Sequence, residues 1–269
     1  MHWIVGDIHG MLKPLELTLE AVKAADSAAV LVFVGDYVNR GPDSRGVIEL
    51  LRKLPGAHFV RGNHDDVFDL ILHGVSIAPE LLGGNRLAAF TWFSHHGLWD
   101  TLMSYGADAA SLQTAADHPN DILLDVICEV VPAEHRAFVR GLPLAAEFDD
   151  FFVVHALWPA DEPTEEPGVS HRIAASVRRR EGALWGRYTR QEIDAAKAWK
   201  RSGYFGHTPV DAYHEHWRPV IGNRMILLDT AAALSANGRL TAYCHESGQY
   251  IQADRLGRVK SGSLGKGHA

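Results

Sequence analysis

The sequence predicts an α/β fold built on a parallel sheet, with antiparallel strands added towards its C-terminal end. Short apolar runs alternate with amphipathic stretches over the first 65 residues, and strictly alternating apolar and polar residues follow late in the chain. The apolar content is 46% of 269 residues. That content is enough for the core of one large domain, or of a domain with an insertion.

The first 65 residues predict the order β-α-β-α-β. Residues 2–6 read as a short apolar strand, and residues 12–25 have helical spacing at Leu15, Leu19 and Val22. The elements that follow are a strand at 29–34, a helix at 44–54, and a short strand in HFVRGNHD that runs into Gly62. This order implies parallel strands joined by right-handed crossovers.

The alternation stops after residue 65, and residues 66–142 predict a helical insertion over one edge of the fold. The later elements are a strand at 151–159, an acidic, proline-rich loop at 160–168, a helix at 189–201, and a strand and turn at 203–210. Three stretches with antiparallel alternation complete the pattern. Residues 1–254 are therefore predicted to form a single domain, and residues 255–269 a disordered tail.

The composition argues against several classes of protein. A net charge of −7 leaves no broad basic surface, so no stable nucleic-acid complex is expected, although a metal cluster can still attract a phosphorylated substrate. Cys128 and Cys244 lack a CxxC spacing, which argues against disulfides or a cysteine zinc site. The start MHWIVGD has no basic region or long apolar stretch, so a cytoplasmic protein without membrane association is predicted. The oligomeric state is left open.

Polar side chains follow the predicted strands at the points where the strands end. In chain order they are Asp7 and His9, then Asp36, Asn39 and Arg40, then Asn63 and His64, then His155, and then His207. Ligand sites in open α/β sheets lie beyond the carboxyl ends of the strands, so these remote positions are expected to converge. Neighbouring glycines such as Gly35 and Gly206 let the backbone turn sharply beside a ligand.

Six of these side chains are donors that suit a divalent metal. They are Asp7, His9, Asp36, Asn63, His155 and His207. Oxygen and imidazole donors without a thiolate suit Mn²⁺ above all, with Fe²⁺, Zn²⁺ or Co²⁺ as alternatives. Six ligands suffice for two ions if Asp36 bridges them. Two ions roughly 3.5–4 Å apart can clamp a phosphoryl group and generate hydroxide at neutral pH.

The motifs GDIHG, GDYVNRGPDS, RGNHD, VVHA and FGHTP resemble those of the calcineurin-like metallophosphoesterases. The resemblance covers roughly residues 3–245 and is weakest in the helical insertion. It is closest to the bacterial phosphoprotein phosphatase branch, which also contains the symmetrical diadenosine tetraphosphate hydrolases. The resemblance implies a sandwich of two mixed β-sheets flanked by helices.

The resemblance also implies a role for each residue of the set. The first ion would be bound by Asp7 and His9, the second by Asn63, His155 and His207, and both by the bridging Asp36. Arg40 and Arg187 would hold the phosphate, because a guanidinium matches two phosphate oxygens. The implied reaction is in-line attack on phosphorus by a metal-bridging hydroxide, with no phosphoenzyme. His64 would be the general acid for the leaving group.

Position 39 departs from the family motif, which usually reads DYVDRG, because this chain has Asn39. In relatives, that aspartate hydrogen-bonds the acid histidine. We expect Asn39 to accept a hydrogen bond from His64 through its amide oxygen, but without a negative charge. The prediction is a lower pKa for His64 than beside aspartate. The basic limb of the pH–rate profile should then move up in Asn39→Asp for a poor leaving group.

Three functions fit these residues. A serine/threonine protein phosphatase is favoured, and the alternative is a symmetrical bis(5'-nucleosyl)-tetraphosphate hydrolase. A non-catalytic phospho-binding protein ranks last, because the ligand set and His64 are complete. A nucleotide substrate would need aromatic surfaces, for which the candidates are Trp92, Trp99, Trp158 and Trp185, although core packing is the more common role of such residues. The insertion and the 160–168 loop are expected to roof the site.

Overall fold

The structure, a computed structural model, describes residues 1–78, 84–158, 177–195, 199–214 and 216–265, without the side chains of residues 177–179. The predicted acidic loop at 160–168 lies outside the described residues. The strands, numbered along the chain, are β1 His2–Val5, β2 Val30–Phe33, β3 His58–Phe59, β4 Ala145–Glu147, β5 Phe151–Val154, β6 Ser202–Phe205, β7 Val220–Ile221, β8 Met225–Leu227, β9 Leu240–Cys244, β10 Gln249–Ala253 and β11 Val259–Ser263.

Helices separate and flank these strands. They are α1 Leu12–Ala25, α2 Ser44–Leu51, α3 Asn63–His73, α4 Arg86–Ser94, α5 Leu98–Tyr105, α6 Ala109–Asp117, α7 Asp121–Cys128, α8 Ala133–Arg140, α9 Val177–Trp185 and α10 Arg190–Asp194. The predicted helix at 189–201 is therefore shorter than expected, because Ala195 is already extended. Among the described residues, none of the helices combines the length and apolarity needed to cross a bilayer.

The strands form two mixed sheets. The first has the order β11-β10-β9-β1-β2-β3, in which β1, β2 and β3 are parallel. The second has the order β4-β5-β6-β8-β7, in which β5, β6 and β8 are parallel. The predicted β-α-β-α-β start and the mixed sheets are confirmed.

Alternating side chains of each strand pack in different layers. Ile4 of β1 lies in a buried cluster with Phe151 and Ile226 of the second sheet, so the two sheets face each other. Its neighbours Trp3 and Val5 belong to the cluster formed with the helices on the outer face. The period of two along a strand divides its side chains between the two layers. This arrangement is the predicted sandwich flanked by helices.

The predicted disorder of residues 255–269 is wrong for residues 259–263. These residues form β11, which pairs antiparallel with β10, with Tyr250 opposite Gly262 and Ala253 opposite Val259. The strand lies at the edge of its sheet and is mostly exposed. Its backbone pairs without burying an apolar face, so no hydrophobic alternation marks it in the sequence. Residues 266–269 lie outside the described residues.

The 66–142 segment contains the rest of α3 and the helices α4 to α8, as predicted. Within it, α3 packs against α4 and α8, and α5 packs against α2. The insertion therefore contacts the elements that follow β2 and β3, where the candidate site residues lie. The treatment of residues 1–254 as one domain stays a prediction.

Candidate metal centre

The predicted metal ligands lie together at the carboxyl ends of the parallel strands. Asp7 and His9 follow β1, Asp36 follows β2, Asn63 begins α3 after β3, His155 follows β5, and His207 follows β6. All of these side chains are buried except that of His207, which is partly exposed. The convergence expected from the sequence is therefore observed for the whole set.

Asn63 and Asp36 lie at the middle of this set. Asn63 Oδ1 is 3.0 Å from His155 Nε2 and 3.0 Å from His207 Nδ1. Asp36 Oδ2 is 3.4 Å from both His9 Nε2 and His155 Nε2. One oxygen of each side chain thus faces two imidazole nitrogens, which concentrates donor atoms in one small volume.

The ring nitrogens opposite the site are held by backbone carbonyls. His9 Nδ1 is 3.0 Å from the Val38 carbonyl oxygen, and His155 Nδ1 is 2.8 Å from that of Val34. A carbonyl accepts only from a protonated nitrogen, so each ring carries a proton on Nδ1 and directs its Nε2 to the site. Such outer contacts are the usual way to fix the tautomer of a metal-binding histidine.

The backbone is strained at several of these residues. Left-handed φ values are found at His9 (49°), Asp36 (56°), Asn39 (70°), Arg40 (69°) and His207 (64°). Non-glycine residues seldom adopt this region, and such strain clusters at functional sites. The loop after β1 is hydrogen-bonded to the loop after β2, since the backbone amide of His9 donates to the Asp36 carbonyl over 2.8 Å.

Glycine is required where the backbone passes the carboxylates. A Cβ built on Gly62 would lie 2.1 Å from Asp36 Oδ1 and 2.3 Å from the Asp36 amide nitrogen. A Cβ on Gly206 would lie 2.0 Å from Asp7 Oδ1. Both distances are far below van der Waals contact, so a larger residue must displace the carboxylate.

We predict that Gly62→Ala weakens metal binding by at least about tenfold, because the added methyl pushes Asp36 from its place. Isothermal titration of the purified variant with Mn²⁺ measures the effect. Gly265→Ala is the matched control, since a Cβ there meets no atom within 4 Å. Equal affinities for the two variants and the wild type would contradict the prediction.

The donor set fits divalent cations. Two groups of side chains each have ligand atoms within 4.8 Å of one another, namely Asp7, Asp36 and His155, and His9, Asp36 and His64. Asp36 belongs to both groups. Asp7 Oδ1 is buried and has no hydrogen-bond partner among the described residues, as expected of an oxygen that serves an ion.

The electrostatics of the site support the same interpretation. Burial raises the pKa of Asp7 well above its ordinary value, and the negative charge of the nearby Asp229 carboxylate adds to this effect. Burial, reinforced by Arg40, lowers the pKa of His9 to about 3, and burial also lowers that of His207 to about 3. His9 and His207 are therefore neutral, as the imidazole ligands of a cation must be. Burial acts to lower the pKa of His155, but the Asp36 carboxylate outweighs it and raises that pKa to about 9, so His155 must release a proton when an ion binds.

Comparison with known proteins agrees with this geometry. The family model for calcineurin-like phosphoesterases matches residues 3–171. The chain belongs to the calcineurin-like phosphoesterase family. This membership assigns it by class to the metal-dependent phosphoesterases and confirms the resemblance seen in its motifs.

Individual relatives match over shorter stretches. A symmetrical bis(5'-nucleosyl)-tetraphosphatase of Coxiella burnetii is 33% identical over 109 residues, which is 36% of this chain and 36% of that protein. Serine/threonine-protein phosphatase 1 of Salmonella typhimurium is 43% identical over 65 residues, which is 24% of this chain and 30% of that protein. The match thus spans about a third of the length of these curated relatives.

Solved structures of similar fold cover nearly the whole chain. A protein assigned as a diadenosine tetraphosphatase has a TM-score of 0.50 at 21% identity, over 97% of this chain and 92% of that one. A cold-active protein tyrosine phosphatase has a TM-score of 0.54 at 16% identity, over 97% and 78%. At these identities the likeness establishes the phosphoesterase fold alone.

The two arginines predicted to bind phosphate in this phosphoesterase differ in how far they are buried. Arg40 is partly buried, and its guanidinium contacts His9 Nε2 beside the candidate ligands. Arg187 follows α9, is exposed, and has Nη1 3.4 Å from Thr208 Oγ1, next to His207. Both lie near the centre, and Arg40 is the more confined of the two.

His64 lies in the centre, with its ring centroid 4.7 Å from that of His9. Burial lowers the pKa of His64 well below its ordinary value, and the Asp36 carboxylate opposes this effect. The expected contact between Asn39 and His64 exists, but the side-chain atom of Asn39 that makes it differs from the prediction. Asn39 Nδ2 lies 2.9 Å from His64 Nδ1, while Asn39 Oδ1 accepts from Thr101 Oγ1 over 2.9 Å. The amide nitrogen, not the oxygen, therefore faces the imidazole.

Sequence reasoning missed three residues of the site. Asp229 follows β8, is 1% exposed, and has one carboxylate oxygen without a partner among the described residues. The apolar run RMILL before it was the same signal that marked the other strand ends. Asp65, in the first turn of α3, accepts from the backbone amides of Asp36 and Tyr37 over 2.8 and 2.9 Å. Thr101 of the insertion had no sequence signal.

Proposed function

We propose that this phosphoesterase hydrolyses dinucleoside polyphosphates with the help of two divalent ions. The observation that carries the proposal is an aromatic pair beside the candidate metal centre. The rings of Trp92 and Trp185 are stacked, with centroids 5.9 Å apart and an interplanar angle of 21°. A nucleobase needs such a surface, because stacking on aromatic side chains is the sequence-tolerant way to hold one.

The pair is accessible and close to the proposed chemistry. Trp92 is 45% exposed, whereas the candidate Trp158 is 3% exposed and belongs to the core, and the candidate Trp99 is partly buried against the core. The Trp185 ring lies 6.3 Å from the ring of His207. Phe93 packs against both Trp185 and His64, at 6.2 and 5.0 Å between ring centroids. A nucleobase bound on this pair would belong to the same substrate molecule as a phosphate bound at the metal centre.

The residues assigned to the ions are Asp7, His9, Asp36, Asn63, His155 and His207, with Asp36 shared. Oxygen and imidazole donors without a thiolate favour Mn²⁺ as the proposed ion. Two such ions, when bound, activate water at neutral pH and neutralise charge on the phosphoryl oxygens. Arg40 and Arg187 bind phosphate oxygens, and His64 donates a hydrogen bond to the leaving-group oxygen.

The second candidate is a serine/threonine protein phosphatase, the function favoured from the sequence. The observation that favours it is the 43% identity to serine/threonine-protein phosphatase 1 of Salmonella typhimurium over 65 residues. Such a substrate would present an alkyl phosphate and would make no use of the Trp92–Trp185 pair.

Parallel assays of the Mn²⁺-loaded protein on diadenosine tetraphosphate and on a phosphoserine peptide test the proposal. We expect the higher kcat/KM on diadenosine tetraphosphate, with ADP as the product. A higher kcat/KM on the phosphopeptide would overturn the proposal in favour of the second candidate. Turnover of neither would support a non-catalytic protein.

Replacement of Trp92 by alanine tests the aromatic pair directly. We predict that Trp92→Ala raises the KM for diadenosine tetraphosphate by about 5- to 160-fold, the effect of losing one base-stacking contact of about 1–3 kcal/mol. Steady-state kinetics on diadenosine tetraphosphate and on p-nitrophenyl phosphate measure the change. Trp92→Phe is the matched control, because it keeps a ring. An equal loss on both substrates would argue against base binding.

A further inference from the structure

The loop that carries Asn39 and Arg40 is held by the first turn of α5 in the helical insertion. The backbone amide of Asn39 donates to Thr101 Oγ1 over 2.8 Å, and the backbone amide of Arg40 donates to the Gly97 carbonyl over 3.3 Å. A Cβ on Gly97 would lie 2.0 Å from the Arg40 nitrogen, so the contact needs glycine. The insertion therefore reaches the metal centre through this turn.

A chain of hydrogen bonds continues from this turn to His64. Ser44 Oγ lies 2.9 Å from Thr101 Oγ1, Thr101 Oγ1 lies 2.9 Å from Asn39 Oδ1, and Asn39 Nδ2 lies 2.9 Å from His64 Nδ1. Ser44, Thr101 and Asn39 are fully buried, and His64 is 2% exposed. Each buried donor must therefore find its acceptor within the chain.

The direction of this chain follows from Ser44. Within the described residues, the Ser44 hydroxyl oxygen has two hydrogen-bond neighbours. One is the backbone amide of Asn39, which can only donate, and the other is Thr101 Oγ1. The Ser44 proton must therefore go to Thr101, and the Thr101 proton to Asn39 Oδ1. Because its side-chain oxygen accepts from Thr101, Asn39 faces His64 with its side-chain nitrogen, and Asn39 Nδ2 therefore donates to His64 Nδ1.

We propose that Ser44, Thr101 and Asn39 are positioning residues that fix the tautomer of His64, with an unprotonated Nδ1 and the ring proton on Nε2. The proposal rests on the proposed function, because it requires a phosphoryl substrate beside His64. A carboxylate at position 39 would accept from Nδ1–H and support an imidazolium, which can give up a proton. An amide N–H facing Nδ1 supports a hydrogen-bond donor at Nε2 instead.

This polarity selects a class of leaving group. When the bond to phosphorus breaks, the leaving oxygen takes the electron pair, His64 keeps its Nε2 proton, and the proton from the attacking water goes to solvent. A terminal phosphate leaves readily as an anion, since its second pKa is about 6. A serine alkoxide is a far stronger base and needs a proton from an acid. The geometry therefore points to phosphoanhydrides rather than alkyl phosphates.

Nitrogen NMR of the full-length chain, labelled with ¹⁵N-histidine and loaded with diamagnetic Zn²⁺, reports the tautomer without turnover. His64→Gln identifies the His64 signals. We expect an unprotonated Nδ1 and a protonated Nε2 in the wild type, a mixture in Thr101→Val, and the wild-type pattern again in Thr101→Ser. Thr114→Val, at an exposed hydroxyl on α6, is the control. A wild-type His64 protonated on Nδ1 would overturn the inference.

Kinetics of Asn39→Asp give an independent test. The ratio of kcat/KM on a phosphoserine peptide to kcat/KM on diadenosine tetraphosphate should rise at least about tenfold, because a general acid is worth typically 10²–10⁴-fold. The exposed Asn237→Asp is the control. An unchanged ratio would sink the inference. If wild-type protein does not hydrolyse diadenosine tetraphosphate, the proposed function fails while the NMR measurement still decides the inference.

Discussion

Asp36→Asn is expected to lower kcat on diadenosine tetraphosphate by at least about 10³-fold, because it removes the charge that both candidate ion sites share. Asp36 is 1% exposed and is common to the two groups of potential ligands. Asparagine keeps the size of the side chain and an oxygen for the His64 amide, which donates to Asp36 Oδ1 over 2.9 Å. The fold should therefore survive the change.

Elemental analysis of dialysed protein gives a second readout for Asp36→Asn. We expect the bound Mn²⁺ to fall from two ions per chain to one or fewer. Asp149→Asn serves as the control, because Asp149 is exposed and precedes β5 at the opposite end of the strands. Retention of two ions and of the wild-type kcat would show that Asp36 does not bridge.

Arg40→Ala is expected to lower kcat/KM by about 10²–10³-fold, the usual cost of removing a donor that meets transition-state charge. The loss should appear for diadenosine tetraphosphate and for p-nitrophenyl phosphate alike, because both present a phosphoryl group to the same guanidinium. Steady-state kinetics at saturating Mn²⁺ measure it. Alanine leaves the backbone hydrogen bond from residue 40 to the Gly97 carbonyl intact.

Arg45→Ala is the matched control for Arg40→Ala, because Arg45 is exposed on α2 in the same part of the chain. Arg40→Lys should recover only part of the activity, since an ammonium lacks the fork that binds two oxygens. Equal kinetics for Arg40→Ala and Arg45→Ala would show that Arg40 does not bind phosphate, and would leave Arg187 as the candidate.

The sequence by itself predicted the candidate ligands, because each of them follows a strand that is apolar enough to recognise. Asp7 and Asp36 could be placed at one edge of the first sheet because β1 and β2 are parallel, and His155 and His207 at one edge of the second because β5 and β6 are parallel. The same reasoning should have found Asp229 after RMILL, and it failed there because no histidine or glycine stood beside the carboxylate.

Other features had no local signal. Strand β11 was missed because an exposed edge strand is held by backbone hydrogen bonds, which leave no apolar pattern. The contact of Asn39 with His64 was expected, but its polarity was wrong. The direction of an amide depends on which groups lie on its other side, and here that group is Thr101, 62 residues away in the chain.

Thus the sequence determined the fold class and the family and predicted the candidate metal ligands, since these depend on periodicity and on side-chain type at strand ends. The tertiary structure decided how those residues face one another. It brought Trp92 and Trp185 together from the insertion and from α9, and it joined Ser44 and Thr101 to Asn39. Such contacts join segments whose approach depends on packing, and hydrogen-bond direction is settled only when every buried donor has found its acceptor.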